Sequence, residues 1–467
     1  MQSDSIAIFM QQNPGYGELM KLLKMDKSER NELISMFVPT FIEQLTIHVV
    51  GLIITAIIKV SGTEAVAAVS LLNSLIALFQ QSFASIGIGV TVVVAQLRGR
   101  GDPKATGKAA SQSVILALMT SISVAILCYI FMEPILKMIF QLSEPKVFEY
   151  GRTYYMFNTI SLPLIAIYSI ASAAIRGSGH ATSSLAATII NSVSHVGVAY
   201  ITVYWFDMGL TGICVALVFS RVVAAIVGYT QLRKGNSDLE RSRITLKVEK
   251  SVAKPVFKVA LPILMENLFF SGGRLVTQAF SVVYGTSAVA ANGIANNIHG
   301  VMLVPAITAS SIAQPIIGRY CGKGDLKGAH RKGKQILVMT IILMIFTAIV
   351  TFSFMKPLTG FMTNDPEVQQ LAYPVIISYC LAIPFLWTLG FVIPSILRSS
   401  GDVKFTSLVC MAAMVLMRLT TGYLLAIVFR VGIIGIWFSM YLDWIVRVVF
   451  FLPRFLSGKW LEFNVLD

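Results

Sequence analysis

The sequence predicts an all-α integral membrane protein: twelve transmembrane helices in two parallel repeats of six. Three observations carry that prediction. Of 467 residues, 55% are hydrophobic and 13% charged, with a mean hydropathy of +0.75; a soluble protein holds about 25% charged residues. Apolar runs of about 20 residues, enough to cross a bilayer as a helix, recur along the whole chain. The chain also states one unit twice. Gln96-Leu97-Arg98-Gly99-Arg100-Gly101-Asp102 returns as Arg319-Tyr320-Cys321-Gly322-Lys323-Gly324-Asp325, an offset of 223 residues. The same offset joins Pro39 to Pro262, Glu43 to Glu266, Gly62-Thr63 to Gly285-Thr286 and Asn73 to Asn296. Arg176-Gly177-Ser178-Gly179 is echoed by Arg398-Ser399-Ser400-Gly401. A period of half the chain marks a duplicated domain, not a solenoid.

Residues 1–30 lack a basic start followed by an apolar core, so they read as a cytoplasmic segment and not a cleavable signal. The first lobe, 31–232, holds spans near 34–58, 65–95, 110–132, 148–175, 181–204 and 209–232. A polar cytoplasmic linker occupies 233–256. The second lobe, 257–456, holds spans near 257–282, 288–318, 335–355, 370–396, 405–428 and 432–455, and 457–467 forms a cytoplasmic tail. Each lobe has an even number of spans. Both copies therefore enter from the same side, related by an axis along the membrane normal. One side of that arrangement collects 27 Lys and Arg and the other 6, with Arg221, Arg274, Arg418 and Arg447 inside spans. The bias places both termini, the linker and both Gly-x-Gly-Asp turns in the cytoplasm of a cell-membrane protein. The net charge of +14 is then topology and not nucleic-acid binding. Prolines inside spans, among them Pro39, Pro163, Pro262, Pro305 and Pro384, bend helices; they read either as prolines that a packed membrane helix tolerates or as hinges of a machine that changes shape.

Several chemistries are excluded. Neither Gly-x-Gly-Asp turn fits a phosphate-binding loop; both read as tight turns whose Asp102 or Asp325 caps the next helix. The five cysteines lack metal or redox spacing. His48, His195 and His299 lack ligand spacing, so no cofactor is expected. No catalytic constellation points to an enzyme.

Ionisable residues inside the membrane are the strongest functional signal, because charge in a bilayer core is costly. Glu43 and Glu266 lie at matching depth, each four residues beyond a proline. A carboxylate there can exchange a proton or a cation. Asp443 and Arg447 stand four apart on one helix face and can pair. Arg274 and Arg418 sit mid-span. Asn73, Asn296 and Gln278 are candidate cavity-lining amides, and Phe270 and Tyr284 candidate ring faces for an organic cation.

Together these residues resemble the multidrug and toxic compound extrusion family over residues 30 to 460. The resemblance rests on Val38-Pro39-Thr40-Phe41-Ile42-Glu43-Gln44-Leu45, on Gly62-Thr63-Glu64-Ala65-Val66-Ala67-Ala68-Val69, and on the paired Gly-x-Gly-Asp turns. Ile396-Leu397-Arg398-Ser399-Ser400-Gly401-Asp402, Met417-Arg418-Leu419 and Asp443-Trp444-Ile445-Val446-Arg447 extend it. The ending Arg454-Phe455-Leu456-Ser457-Gly458-Lys459-Trp460 resembles a bacterial, Firmicutes-type branch. The resemblance implies two six-helix bundles facing each other in a V, and export of cationic, amphipathic compounds in antiport with Na⁺ or H⁺ by alternating access. Ile54 stands where many relatives carry Asp, and Phe270 where some carry Glu. Glu266, Glu43 and Asp443 are therefore the candidates for cation or proton coupling, with Na⁺ expected near Glu266 or Glu43. The expected partners are small organic cations and the lipid bilayer, and the expected unit is a monomer. The alternative is a lipid-linked precursor flippase on a related fold, whose cationic cavity Arg274 and Arg418 would supply.

Overall fold

The structure, a computed structural model, describes residues 26–141, 144–234 and 249–466. Most of the expected N-terminal segment and most of the linker lie outside them. The first repeat contains α1 (Lys27–Val60), α2 (Thr63–Gly99), α3 (Pro103–Ile130), α4 (Pro145–Ile160 and Leu162–Gly177), α5 (Ala181–Trp205) and α6 (Gly209–Lys234). The second contains α7 (Lys250–Val282), α8 (Thr286–Met302 and Val304–Gly322), α9 (Leu326–Ser353), α10 (Pro366–Ser400), α11 (Val403–Val428) and α12 (Ile433–Leu456). All twelve expected spans are present, and no strand occurs among the described residues.

Several helices start seven to nine residues before the apolar run: α1 at Lys27, α3 at Pro103, α7 at Lys250 and α9 at Leu326. Hydropathy marks only the part that lipid requires. The polar turns are helical because caps start them early. Asp102 Oδ1 accepts from the Ala105 amide at 2.9 Å, and Asp325 Oδ1 from the Gly328 amide at 2.8 Å. Each cap follows a glycine in the left-handed region, Gly101 and Gly324, both at φ 76°. Helix α4 bends by 47° at Ser161, just before Pro163, and α8 by 46° at Leu303, just before Pro305. Helix α10 widens to a π-helix over Ile383–Val392, as α11 does over Met414–Leu419 and Leu424–Val428. Such segments often mark functional positions.

The duplication is visible in three dimensions. The non-glycine left-handed residues Asp207 and Arg430 are equivalent positions. Short helices at Met132–Ile139 and Met355–Met362 follow α3 and α9 at equivalent places.

The two lobes meet at the end that carries the Gly-x-Gly-Asp turns, here called the basic end. Helix α2 packs on α7 and α8, and α1 packs on α8. Small residues allow the approach. A Cβ on Gly89 would stand 2.6 Å from the Val256 carbonyl. Gln96 Nε2 donates across the boundary to the Ser399 carbonyl at 2.9 Å. Ion pairs reinforce this end: Glu32 with Arg319, Glu29 with Arg331 at 2.5 Å, and Lys108 with Glu249 at 2.7 Å. The Lys108 contact holds the Glu249 carboxyl below the usual carboxylate range. The tail is seated here too. Trp460 is buried against His330 and Phe455, and the Ser400 hydroxyl donates to its carbonyl at 2.7 Å.

Candidate functional site

Among the described residues, the hydrogen bond between the lobes farthest from the basic end runs from Asn267 Nδ2 to Ser85 Oγ, at 2.9 Å. Beyond it the helices that face each other expose polar side chains. On α7, Val256, Ala260, Asn267 and Arg274 follow at steps of four, seven and seven, so they share one face. Val256 and Ala260 touch Gly89 of α2, and Asn267 touches Ser85. Arg274, exposed, therefore continues the inter-lobe face into a cleft, with Gln278 one turn further. On α2, Ser74 lies eleven residues before Ser85 on the same face, and Asn73 beside it is exposed. On α8, Asn296 and Asn297 are exposed, and Asn296 also donates to the Asn292 carbonyl at 2.8 Å.

The duplicated carboxylates are both ion-paired. Glu43 Oε1 accepts from Arg176 Nη1 at 2.9 Å, and its Oε2 accepts from Ser184 Oγ at 3.1 Å. Glu266 Oε2 accepts from Arg398 Nη2 at 2.6 Å, while Arg398 Nε donates to Thr406 Oγ1 at 3.1 Å. Arg176 and Arg398 belong to the duplicated turn motif, and Ser184 and Thr406 are equivalent hydroxyls. Each carboxylate thus ties the first helix of its lobe to the end of the fourth. Both arginines close a helix beside a turn, where sequence alone gives them no partner inside the lobe. Near-equal offsets for acid and base, 223 and 222 residues, were the available signal.

A second ionic group has no counterpart in the first lobe. Asp443 is fully buried, with Arg447 Nε at 2.8 Å and Arg418 Nη2 at 3.0 Å. His195, Ser220 and Ala224 hold the equivalent positions of Arg418, Asp443 and Arg447. Phe270 lies against this group. The guanidinium carbons of Arg418 and Arg447 stand 5.0 and 5.7 Å from its ring centroid, and Arg447 also lies 4.7 Å from the Phe391 centroid. Phe391 stacks on Trp387 at 4.6 Å. Arg447 Nη1 reaches Cys410 Sγ at 3.2 Å, and Arg398 reaches the same sulfur at 3.9 Å, so the two ionic groups of this lobe adjoin. Among the described residues, Arg418 Nε, Trp444 Nε1, His299 Nε2 and Tyr379 Oη are buried without a hydrogen-bond partner. His299 stacks on Trp444 at 6.2 Å, so several of these polar atoms share one core.

The expected residues therefore fall into three places. Arg274, Gln278, Asn73 and Asn296 are exposed on the helices that border the cleft. Phe270, Arg418 and Asp443 form the buried group, with Phe270 held against the protein's own cations. Tyr284 sits apart, its hydroxyl donating to the Ala426 carbonyl at 2.5 Å and accepting from the Gly432 amide at 3.1 Å. Among the described residues, no three His, Cys, Asp or Glu side chains gather as a metal site.

Two bundles of six helices joined at one end, with a polar cleft between them, define a membrane transporter. Family comparison gives the particular kind. The MatE family model matches residues 39–201 and again 262–424, each time the same length at the 223-residue offset, and the chain belongs to the MatE family. The probable multidrug resistance protein NorM of Thermotoga maritima is 25% identical over 442 residues, 94% of each chain. A FAD transporter of Shewanella oneidensis is 24% identical over 362 residues, 74% of this chain and 78% of that one. A solved MOP superfamily transporter from Pyrococcus furiosus shares the fold with a TM-score of 0.84 at 18% identity, covering 95% of this chain and 98% of that chain. The chain is thus a membrane transporter and not an enzyme.

Proposed function

We propose that the chain exports small organic molecules across the cell membrane by alternating access, in antiport with Na⁺ or H⁺. The carrying observation is the seal at the basic end beneath a cleft lined by Asn73, Arg274, Gln278, Asn296 and Asn297. With the basic end cytoplasmic, as its Lys and Arg excess favours, this arrangement faces outward. The second state opens the basic end and closes the cleft. A coupling ion acts by favouring one state, and only through its difference in affinity between the two. Asp443 is the group best placed for that, because protonation would release two arginines at once. Glu43 and Glu266 serve both lobes alike, which fits bracing of each bundle.

The resemblance implies cationic cargo, and one relative is named for FAD, so the names of relatives do not confine the class. The flippase alternative draws no support from the two relatives named above, a multidrug resistance protein and a FAD transporter. The test is dye export from reconstituted vesicles under a Na⁺ or a proton gradient, each alone. Accumulation that ignores both gradients would defeat the antiport reading.

A further inference from the structure

We infer that the cleft takes its cargo by an anionic group, on an organic molecule bearing a carboxylate or phosphate, with Arg274 as the residue that binds it. This names the cargo class of the exporter proposed above and rests on that reading. Three observations support it. The first is the charge inside the lobes. The carboxylates along the spans, Glu43, Glu266 and Asp443, are each ion-paired, and Asp443 is paired twice. Arg176, Arg398, Arg418 and Arg447 hold them, and Arg221 and Arg274 add two more cations. Arg221 bonds a neutral hydroxyl, that of Ser161, and Arg274 has no ion pair or hydrogen bond among the described residues.

The second observation is direction. Arg274 lies on the face of α7 that meets α2 lower down, and it is close enough to Arg418 to repel it electrostatically. The buried group behind the cleft already carries two guanidiniums against one carboxylate. An anion at Arg274 relieves that excess, whereas an organic cation adds to it.

The third is the state of the aromatic rings. The ring that would greet an organic cation beside this group is Phe270, and Arg418 and Arg447 already lie near it. The carboxylates deep within the spans, Glu43, Glu266 and Asp443, already hold ion-pair partners when a cation arrives. The described residues offer an incoming anion a guanidinium with every donor free.

The probes are fluorescein, an aromatic dianion, and ethidium, an aromatic monocation. Their anisotropy is read with purified full-length protein in detergent, without any gradient. Fluorescein is expected to bind more tightly than ethidium. Arg274→Gln should weaken fluorescein by about 10- to 100-fold, the range for a lost hydrogen bond to a charged group. Arg274→Lys should retain most of that binding, and ethidium should be unaffected or improved by Arg274→Gln. Size-exclusion profiles check folding, which an exposed, unpaired side chain does not hold together. Competition by phenyl phosphate and by farnesyl phosphate reports whether a soluble or a lipid-borne anion fits better, and either ranking supports the site. Tighter binding of ethidium by the wild type, or fluorescein binding indifferent to Arg274→Gln, overturns the inference. Vesicle transport separates the two readings. Ethidium exported under a gradient with no fluorescein binding refutes only the anion site. Fluorescein bound but never transported refutes only the exporter.

Discussion

Gly99 and Gly322 occupy equivalent positions in the two repeats and meet across the lobe boundary. A Cβ on Gly99 would strike the Arg319 carbonyl, and one on Gly322 would strike the Gln96 carbonyl. Gln96 and Arg319 are themselves equivalent, so one contact is made twice about a local two-fold axis. An isologous patch of this kind is usual between identical subunits; here duplication has placed it within one chain. Backbone approach this close requires the missing side chain.

Replacing either glycine by alanine should therefore push the protein away from the sealed basic end. Both glycines close their helices outside the left-handed region, in a conformation alanine adopts without strain, so any loss must come from the lobe contact. Overpacking costs about 1–3 kcal/mol, which shifts a two-state equilibrium by about 5- to 150-fold. Spin labels at Asn73 and Asn297 read the cleft width. The distance should shorten in Gly99→Ala and shorten further in the double variant with Gly322→Ala. An unchanged distance distribution in the double variant would show that this contact does not set the state.

The paired carboxylates give a second test. Removing one partner of a buried ion pair leaves the other uncompensated, at a cost of about 3–5 kcal/mol. Glu43→Gln and Glu266→Gln should both lower thermal stability, and adding Arg176→Gln or Arg398→Gln respectively should recover part of it. If Glu266 instead serves as the coupling site, Glu266→Gln abolishes gradient-driven export without loss of stability. The melting curve and the transport assay on one preparation distinguish bracing from coupling.

The fold was legible because lipid imposes it. Twelve apolar runs, a half-chain repeat and a one-sided excess of Lys and Arg are properties of the string itself. The pairing of Glu43 with Arg176 joins residues 133 apart in sequence. No local periodicity encodes such a contact, though the near-equal offsets of the two partners, 223 and 222 residues, did. The Asp443–Arg447 pair was readable because four residues bring it round one helix face. Arg418 was not readable as its third member, since it arrives from another helix through a π-helical turn. The burial of Trp460 was hidden as well, because the short tail looked polar.

That third member changes what Asp443 variants should do. Asp443→Asn leaves two buried guanidiniums, and combining it with Arg447→Gln still leaves Arg418 uncompensated. Arg418→Gln alone keeps a balanced pair. Asp443→Asn should thus be the most damaging of these changes, by about 3–5 kcal/mol, and Arg418→Gln the mildest. Thermal unfolding in detergent ranks them. Arg418→Gln melting as early as Asp443→Asn would argue that the three groups do not act as described.

The last prediction concerns the ionic clasp at the basic end. Lys332 is fully buried, and its Nζ lies 3.6 Å from Glu29 Oε1 and 3.9 Å from Glu32 Oε2. Both acids sit in the first turns of α1, whereas Lys332, Arg319 and Arg331 belong to the other lobe. The clasp thus exists only while the lobes are together at this end. The exposed pair with Arg331 is worth little by itself, because surface ion pairs contribute about 0–1 kcal/mol. The buried ammonium is different, since it must keep at least one carboxylate. Glu29→Gln or Glu32→Gln alone should have a small effect, because the other acid remains near Lys332. The double variant strands the ammonium, and its effect should exceed the sum of the singles by about 1–3 kcal/mol, the coupling typical of a shared network. Opening the basic end rehydrates Lys332, so the stranded charge itself drives the change of state. The Asn73–Asn297 label distance should then shorten in the double variant and scarcely move in either single one. Adding Lys332→Met to the double variant removes the stranded charge and should restore the wider cleft. A double variant that simply adds the two single effects, or that Lys332→Met fails to rescue, would mean that packing of α2 on α7 and α8 seals the lobes without the clasp.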